Sequence, residues 1–277
     1  MKSLDELRTA MPGTIKNPDR LKPGKGMATP NRSLERGIAV LRAFRAGSSM
    51  LGNSEIADRT GLSRSTVSRL TQTLVQAGML EYVPRSRAYR LGVPVLSMAH
   101  AMSEGSSVLK IATPLMTEVA MRYKINVGLA VADEGDMVYL ESFRYSRRQS
   151  LRTIVRGLRI PMALTSLGRA YLATLPAECL DRTMSEMASR HPGHAWLAIR
   201  KEIKLAIQSV REKGYCIASW QPQVVAVATP MRLEGYGTYI LNASVSTQQE
   251  IAEVAAALAK PLLALAAAIQ DEVSRID

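Results

Sequence analysis

The sequence predicts an α+β chain in two parts. A small basic module of short helices and a hairpin comes first, then a larger domain in which helices pack on an antiparallel sheet. Three observations lead there: two short amphipathic helices meeting at Gly61, a basic excess confined to the first third of the chain, and strand-length apolar runs interleaved with helical patterns beyond residue 107.

The 277 residues hold 36 Lys and Arg against 24 Asp and Glu, a net charge of +12, with 47% hydrophobic and 22% charged residues, which suits two globular domains. Residues 1–92 carry 16 basic and 7 acidic side chains, a balance of +9; the remainder carries 20 and 17, or +3. That asymmetry favours a polyanion partner for the N-terminal part, although an anionic membrane or simple solubility would also use it. Cys179 and Cys216 stand far apart without Cys-x-x-Cys spacing, so no disulfide framework or zinc finger is indicated, and a cytoplasmic location fits. Residues 1–30, with Pro12, Pro18, Pro23 and Pro30, read as a flexible basic arm lacking the apolar core of a signal peptide. The apolar stretch 254–269 is short for a bilayer and contains Lys260 and Pro261, so it reads as a packed terminal helix and no membrane partner is expected.

Residues 31–92 form the first unit. Leu34, Ile38, Leu41 and Phe44 recur on one stripe of a first helix expected to cover the next two. In the second, Ile56 and Ala57 face inward with Leu51 ahead, while Glu55, Asp58 and Arg59 face water. Gly61 permits a tight turn. Ser63 stands as the N-cap of a third helix, with Leu62 as staple and Val67, Leu70 and Leu74 on its inner side. Its outer side carries Arg64, Ser65, Thr66, Ser68, Arg69, Thr71 and Gln72, rich in donors and free of acids, as base edges and phosphates require. Arg64, Ser65 and Thr66 are the expected base readers, because the N-terminal end of a recognition helix contacts base edges. Alternation on both sides of an 84–88 turn then makes a hairpin, read as a wing whose Arg85 and Arg87, with Arg90 behind, meet phosphate or a minor groove. A solvated hairpin with ordinary surface arginines is the bland alternative.

Residues 93–106 read as an amphipathic linker helix with Val95, Leu96, Ala99 and Met102, suited to pairing with a second copy. Residues 107–277 read as helix 108–123, strands 126–132 and 137–143 joined by Asp133-Glu-Gly-Asp136, strand 151–155, helix 167–174, helix 196–213, strands 215–218, 224–231 and 239–246, and helix 248–277. Such a sheet with helices against it could enclose a small-molecule pocket.

Taken together, these residues resemble the IclR-type bacterial transcriptional regulators over nearly the whole chain. The resemblance rests on the run from Arg32 to Leu41, the helix pair through Gly61-Leu-Ser-Arg-Ser-Thr-Val-Ser-Arg-Leu70, Tyr89-Arg-Leu-Gly92, Gly157 to Pro161 with Thr165-Ser-Leu-Gly-Arg-Ala-Tyr-Leu-Ala173, Lys213-Gly-Tyr215, Val225-Ala-Val-Ala-Thr-Pro230 and Ala243-Ser-Val-Ser246. It implies an N-terminal winged helix-turn-helix, a dimerising linker helix and a C-terminal GAF-like effector-binding domain, with dimers often pairing into tetramers. It further implies a double-stranded DNA operator and a small-molecule effector that changes DNA binding or RNA polymerase recruitment. By position it points to Ser166, Leu167, Ser244 and Ser246, with Ala226 on the neighbouring strand, as the effector site. Two features depart from the family pattern: Ala218-Ser-Trp-Gln-Pro222 replaces an acidic loop, and Gly168-Arg169 replaces Gly-Lys. The run Thr165-Ser-Leu-Gly-Arg169 is similar to members responding to protocatechuate-like aromatic acids, which suggests an aromatic acid effector and a catabolic operon.

Ser244 and Ser246 share a strand face by alternation; without the resemblance the better reading is a solvent-facing stripe. Arg144, Arg147 and Arg148 read as solvated loop charges and stay outside the site, and His191-Pro-Gly-His194 lacks the third ligand of a metal set. No nucleophile elbow or phosphate-cradling glycine loop is visible, so the sequence supports no catalysis, cofactor or metal. The alternatives kept are a small-molecule enzyme with a DNA- or anion-docking N-terminal module, and a nonspecific architectural DNA binder.

Overall fold

A computed structural model describes residues 31–145 and 156–276. The expected arm over 1–30, the expected strand at 151–155, and Arg147 and Arg148 lie outside the described residues. The chain divides into two compact units meeting at residues 105 and 106.

In the first unit, α1 (Arg32–Arg42), α2 (Asn53–Thr60) and α3 (Arg64–Gln76) precede a hairpin of β1 (Leu80–Val83) and β2 (Ala88–Leu91). The junctions follow the local chemistry. Gly61 adopts φ 68° and its N–H closes on the Ala57 carbonyl; the Ser63 hydroxyl accepts the Thr66 N–H at 3.3 Å, a cap worth about 1 kcal/mol. Arg59 donates to the Ala43 carbonyl and the Ser48 hydroxyl, fastening α2 to the end of α1. Leu51 pairs through its backbone with Tyr89, adding a third segment to the hairpin. Val40, Phe44, Leu51, Ile56, Val67 and Leu80 form the core.

Two details differ from the sequence reading. Leu34 and Ile38 are 63% and 46% exposed, because α1 buries the side carrying Gly37 and Val40 instead. Thr71 is buried, its hydroxyl donating to the Val67 and Ser68 carbonyls, and so belongs to the core side of α3. The linker helix α4 (Pro94–Glu104) buries none of its residues, and Leu96, Met98 and Met102 are exposed along it.

The second unit is a six-stranded sheet in the order β5-β4-β3-β8-β7-β6, from β3 (Asn126–Asp133), β4 (Asp136–Phe143), β5 (Arg159–Pro161), β6 (Cys216–Ala218), β7 (Val224–Leu233) and β8 (Gly237–Ser246). Every recorded pairing is antiparallel. Glu134 and Gly135 both take positive φ in the β3–β4 turn, the backbone that a two-residue hairpin needs. On one face α5 (Ser107–Tyr123) and α9 (Ile251–Ser274) bury Val127, Leu129, Val225, Val227, Leu241 and Ala243. On the other, α6 (Ser166–Leu172), α7 (Ala177–Ala188) and α8 (Gly193–Lys213) join Ala130, Met137, Tyr139, Cys216, Ala228 and Ile240. Both β5 and α7 are absent from the sequence reading.

Helix α9 runs through Pro261 and reaches 24 residues, long and apolar enough to cross a membrane by length and composition alone. Here Val254, Leu258, Leu262, Leu265 and Ile269 are buried on the sheet. That packing offsets the hydrogen bond Pro261 cannot donate.

Gly168 lets α6 touch the chain before it. A Cβ there would lie 2.0 Å from the Met162 carbonyl oxygen, against backbone that cannot swing away, whereas a Cβ at Gly193 would meet nothing within 4 Å. Gly168→Ala is therefore expected to lower stability by about 1–3 kcal/mol in urea unfolding followed by circular dichroism, with Gly193→Ala neutral or slightly stabilising. Equal midpoints for the two variants would contradict this packing.

Candidate functional site

Two surfaces carry the residues singled out in the sequence. On α3, Arg64, Ser65, Arg69 and Gln72 are exposed, Thr66 and Ser68 are half-buried, and the helix contains no acid. The Ser63 hydroxyl sits 3.1 Å from that of Ser65 and 2.9 Å from that of Thr66, so the cap also holds the first-turn hydroxyls in place. In the hairpin, Arg85 and Arg87 are exposed, and Arg87 takes φ 48° at the tip. Arg90 is paired with Glu81, its cross-strand neighbour, in a solvent-exposed bridge of the kind that contributes about 0–1 kcal/mol. A Cβ on Gly92 would fall 2.0 Å from the Gly78 carbonyl oxygen, so this glycine lets the end of the hairpin close against the turn that follows α3.

The second surface is the α6-facing side of the sheet. Side chains of directly paired residues share a face, which puts Ala218, Ala226, Ser244 and Asn126 in one row across β6, β7, β8 and β3. The next row is Cys216, Ala228, Asn242 and Gly128. None of these eight is a large aliphatic residue, while the opposite face is filled by Val and Leu. The result is a shallow floor of small and polar groups. Ser246 is exposed, Ser244 half-buried and Asn242 only 7% exposed, so cover increases along β8 toward Asn242.

Helix α6 packs against β6, β7 and β8, and the Cys216 thiol donates to the Ser166 carbonyl at 3.4 Å. Ser166 and Leu167 are themselves buried. Arg169 is buried too. It donates to the Ala163 carbonyl and forms a short ion pair with Glu202, clamping α6 to α8. Among the candidates the sequence named, the structure thus brings Ala226 and Ser244 into direct register, and places Ser246 one pair further out opposite Val224.

Three residues went unnoticed in the sequence: Tyr139, Asn242 and Gly128. A Cβ on Gly128 would stand 2.5 Å from the Tyr139 ring and 2.6 Å from Asn242 Oδ1, so only glycine lets those two side chains lie over β3. Asn242 Nδ2 donates to the Tyr139 hydroxyl at 3.5 Å, and Asn242 Oδ1 is buried without a hydrogen-bond partner. Burial pushes the Tyr139 hydroxyl up to about 12, against the opposing pull of Asn242 and the charge of Arg144. Arg144 therefore lies within electrostatic reach of this spot. A depression between α7 and α8, lined by Leu180, Lys204, Ile207, Gln208, Arg211 and Glu212, contains none of the candidate residues. His191 is held by the Met187 carbonyl and stacked near Trp196. No group of three His, Cys, Asp or Glu among the described residues could hold a metal ion.

Residues 33–84 match the profile of the IclR helix-turn-helix domain, and residues 100–271 that of the bacterial transcriptional regulator IclR C-terminal domain. The chain is 32% identical over 206 residues to the HTH-type transcriptional regulator TsaQ1/TsaQ2 of Comamonas testosteroni, covering 74% of this chain and 72% of the relative. Over 228 residues it is 23% identical to the p-hydroxybenzoate hydroxylase transcriptional activator of Acinetobacter baylyi, covering 78% and 82%. Among solved structures, an IclR family transcriptional regulator from Brucella abortus superposes with a TM-score of 0.80 at 32% identity, covering 87% of this chain and 92% of that one. The chain belongs to the IclR family. It is a DNA-binding transcriptional regulator, not an enzyme.

Burial also pushes the Cys216 thiol from 9.0 up to about 12, with Arg169 pulling the other way. A raised folded-state pKa supplies stability that is present below the unfolded value and lost as pH climbs toward the folded one. Stability is therefore expected to hold to about pH 9 and fall between there and about 12 as Cys216 and then Tyr139 ionise in the unfolded chain. Under native conditions near pH 8 a thiol reagent should label the half-buried Cys179 and leave Cys216 untouched until denaturant is added. Equal labelling of both would refute the burial.

Proposed function

We propose that this regulator reads an operator with α3 and the hairpin arginines, and that a small organic acid of aromatic type, bound on the α6-facing floor of the sheet, alters that binding. The observation that carries the proposal is the difference between the two sheet faces: Val and Leu dominate one, while Ala226, Ser244, Asn242 and Gly128 set small and polar groups on the other, beside α6. Ligand sites are concave, with few polar groups placed in apolar surroundings. The aromatic character is supported by the Thr165–Arg169 run and by the relative named for the activation of p-hydroxybenzoate hydroxylase.

On the DNA side, Arg64, Ser65, Thr66, Ser68, Arg69 and Gln72 face the major groove, with Arg85 and Arg87 on the backbone or in a minor groove. The domains run 31–92 for DNA, 93–106 for the linker and 107–277 for effector and oligomerisation, following a 1–30 arm. The exposed Leu96, Met98 and Met102 suit α4 to pairing with a second copy, giving a cytoplasmic dimer or tetramer, with RNA polymerase as the partner affected and no membrane involved.

Binding to DNA from upstream of the protein's own gene and to shuffled DNA, compared by fluorescence anisotropy at fixed salt, should differ by about a thousandfold or more. Arg64→Ala should cost about 1–3 kcal/mol and relax base preference, while Arg85→Ala weakens all DNA alike. Negligible effects of both would remove this interface. Calorimetric titration with protocatechuate and related acids should give heat and a raised melting temperature; silence across the series would remove the aromatic acid.

A further inference from the structure

We infer that Tyr139 and Asn242 form the closed end of the effector site and recognise a ring hydroxyl of the aromatic acid. The inference rests on the effector reading above. Its basis is the hydrogen-bonding arithmetic of the pair. As oriented, Asn242 Nδ2 donates to the phenol oxygen, which leaves the phenol proton available and Asn242 Oδ1 without a donor. If the amide is turned over, the phenol donates to Oδ1 and the NH2 group is left available beside the phenol oxygen. Either way the pair presents at least one unused donor and one unused acceptor. A hydroxyl accepts one hydrogen bond and donates another, so it satisfies both; a carboxylate or halide, which only accepts, leaves one unmet.

Position supports the same assignment. Asn242 and Ser244 lie on one face of β8 two residues apart, about 7 Å along a strand, which is the span of a benzene ring bearing para substituents. The serine end is open and the asparagine end closed. A charged carboxylate keeps its hydration best at the open end, beside Ser244 and Ser246, while the neutral hydroxyl enters the closed one. The phenol of Tyr139, held neutral by burial, remains a donor throughout the physiological range. Gly128 keeps the two side chains together, since any Cβ would displace both.

The test is calorimetry with 4-hydroxybenzoate and benzoate against the full-length protein, Tyr139→Phe and Asn242→Ala, each variant checked by thermal unfolding. The wild type should bind 4-hydroxybenzoate about tenfold or more tightly than benzoate, because the analogue leaves a buried group unpaired. In both variants the ratio should shrink to within about threefold, mostly through weaker binding of the hydroxylated acid. A structural role alone would weaken the two ligands together and leave the ratio intact, which would overturn the assignment, as would equal binding by the wild type. Should Tyr139→Phe fail to fold, the wild-type ratio and Asn242→Ala decide. Binding of neither acid by a protein that still holds its operator overturns the aromatic-acid reading itself, and this inference with it.

Discussion

The second unit is governed by what the two faces of one sheet must do. A six-stranded antiparallel sheet has to bury at least one face, and here α5 and α9 cover Val127, Leu129, Val225, Val227 and Leu241 with large apolar side chains. At about 25 cal/mol per Å² of apolar surface removed from water, that face supplies the main driving force for the unit. The opposite face is thereby freed from the same requirement where Ala218, Ala226, Ser244, Asn126, Asn242 and Gly128 meet. Small residues there give up dispersion contacts and form a floor. Strand alternation thus gives one face mainly large apolar side chains and the other a mixture, with Met137, Tyr139 and Ile240 in a second core beside the small and polar residues.

The helix over that floor is fixed by polar and close backbone contacts as well as by the apolar area of Leu167, Tyr171 and Leu172. α6 has seven residues, all buried, and is held by Gly168 against the Met162 backbone, by the Cys216 thiol on the Ser166 carbonyl, and by Arg169 bridging the Ala163 carbonyl and Glu202. A second cation braces the far edge. Arg159 reaches from β5 to Asp133 and Asp136 on either side of the β3–β4 turn, and those hydrogen bonds and charges outweigh the burial that opposes its ionisation. Removing one partner of such a pair leaves a partly buried charge uncompensated, which costs more than forming the pair contributes.

Features decided within a few residues were legible in the sequence. Gly61, the Ser63 cap, the 84–88 turn and the Glu134-Gly135 turn each follow from local backbone chemistry, and all take the expected form. What the sequence concealed depends on packing at a distance. The stripe of Leu34 and Ile38 obeys helical periodicity yet points outward, because α2 and α3 meet α1 on the Gly37 and Val40 side. Thr71 looks like one more hydroxyl on a polar helix face, but its bond to the Val67 carbonyl turns it inward. Helix α7 gave no capping signal, as Pro176 offers no side-chain acceptor. Nothing local in the sequence marks Asn242, whose amide oxygen lacks a partner and so is a flaw in the packing of an apolar strand; only the pairing of β8 with β3 sets it over Gly128 and beside Tyr139.

That flaw has an energetic logic. A buried acceptor without a donor costs about 1–3 kcal/mol, and a cation placed there to attract an acid would cost several kcal/mol more in desolvation. An amide and a phenol are neutral, so the floor can close around them at modest cost and stay folded with no ligand bound. The penalty is present in the free protein and, in the proposed site, would be relieved by a ligand hydroxyl, which makes it differential between the two states. A ligand shifts a conformational equilibrium only by such differential interaction, however tightly it binds. In the proposed site, an uncharged polar pair with an unmet acceptor at the closed end would therefore couple ligand chemistry to conformation, while the serines at the open end, solvated with or without a ligand, would contribute affinity and little coupling.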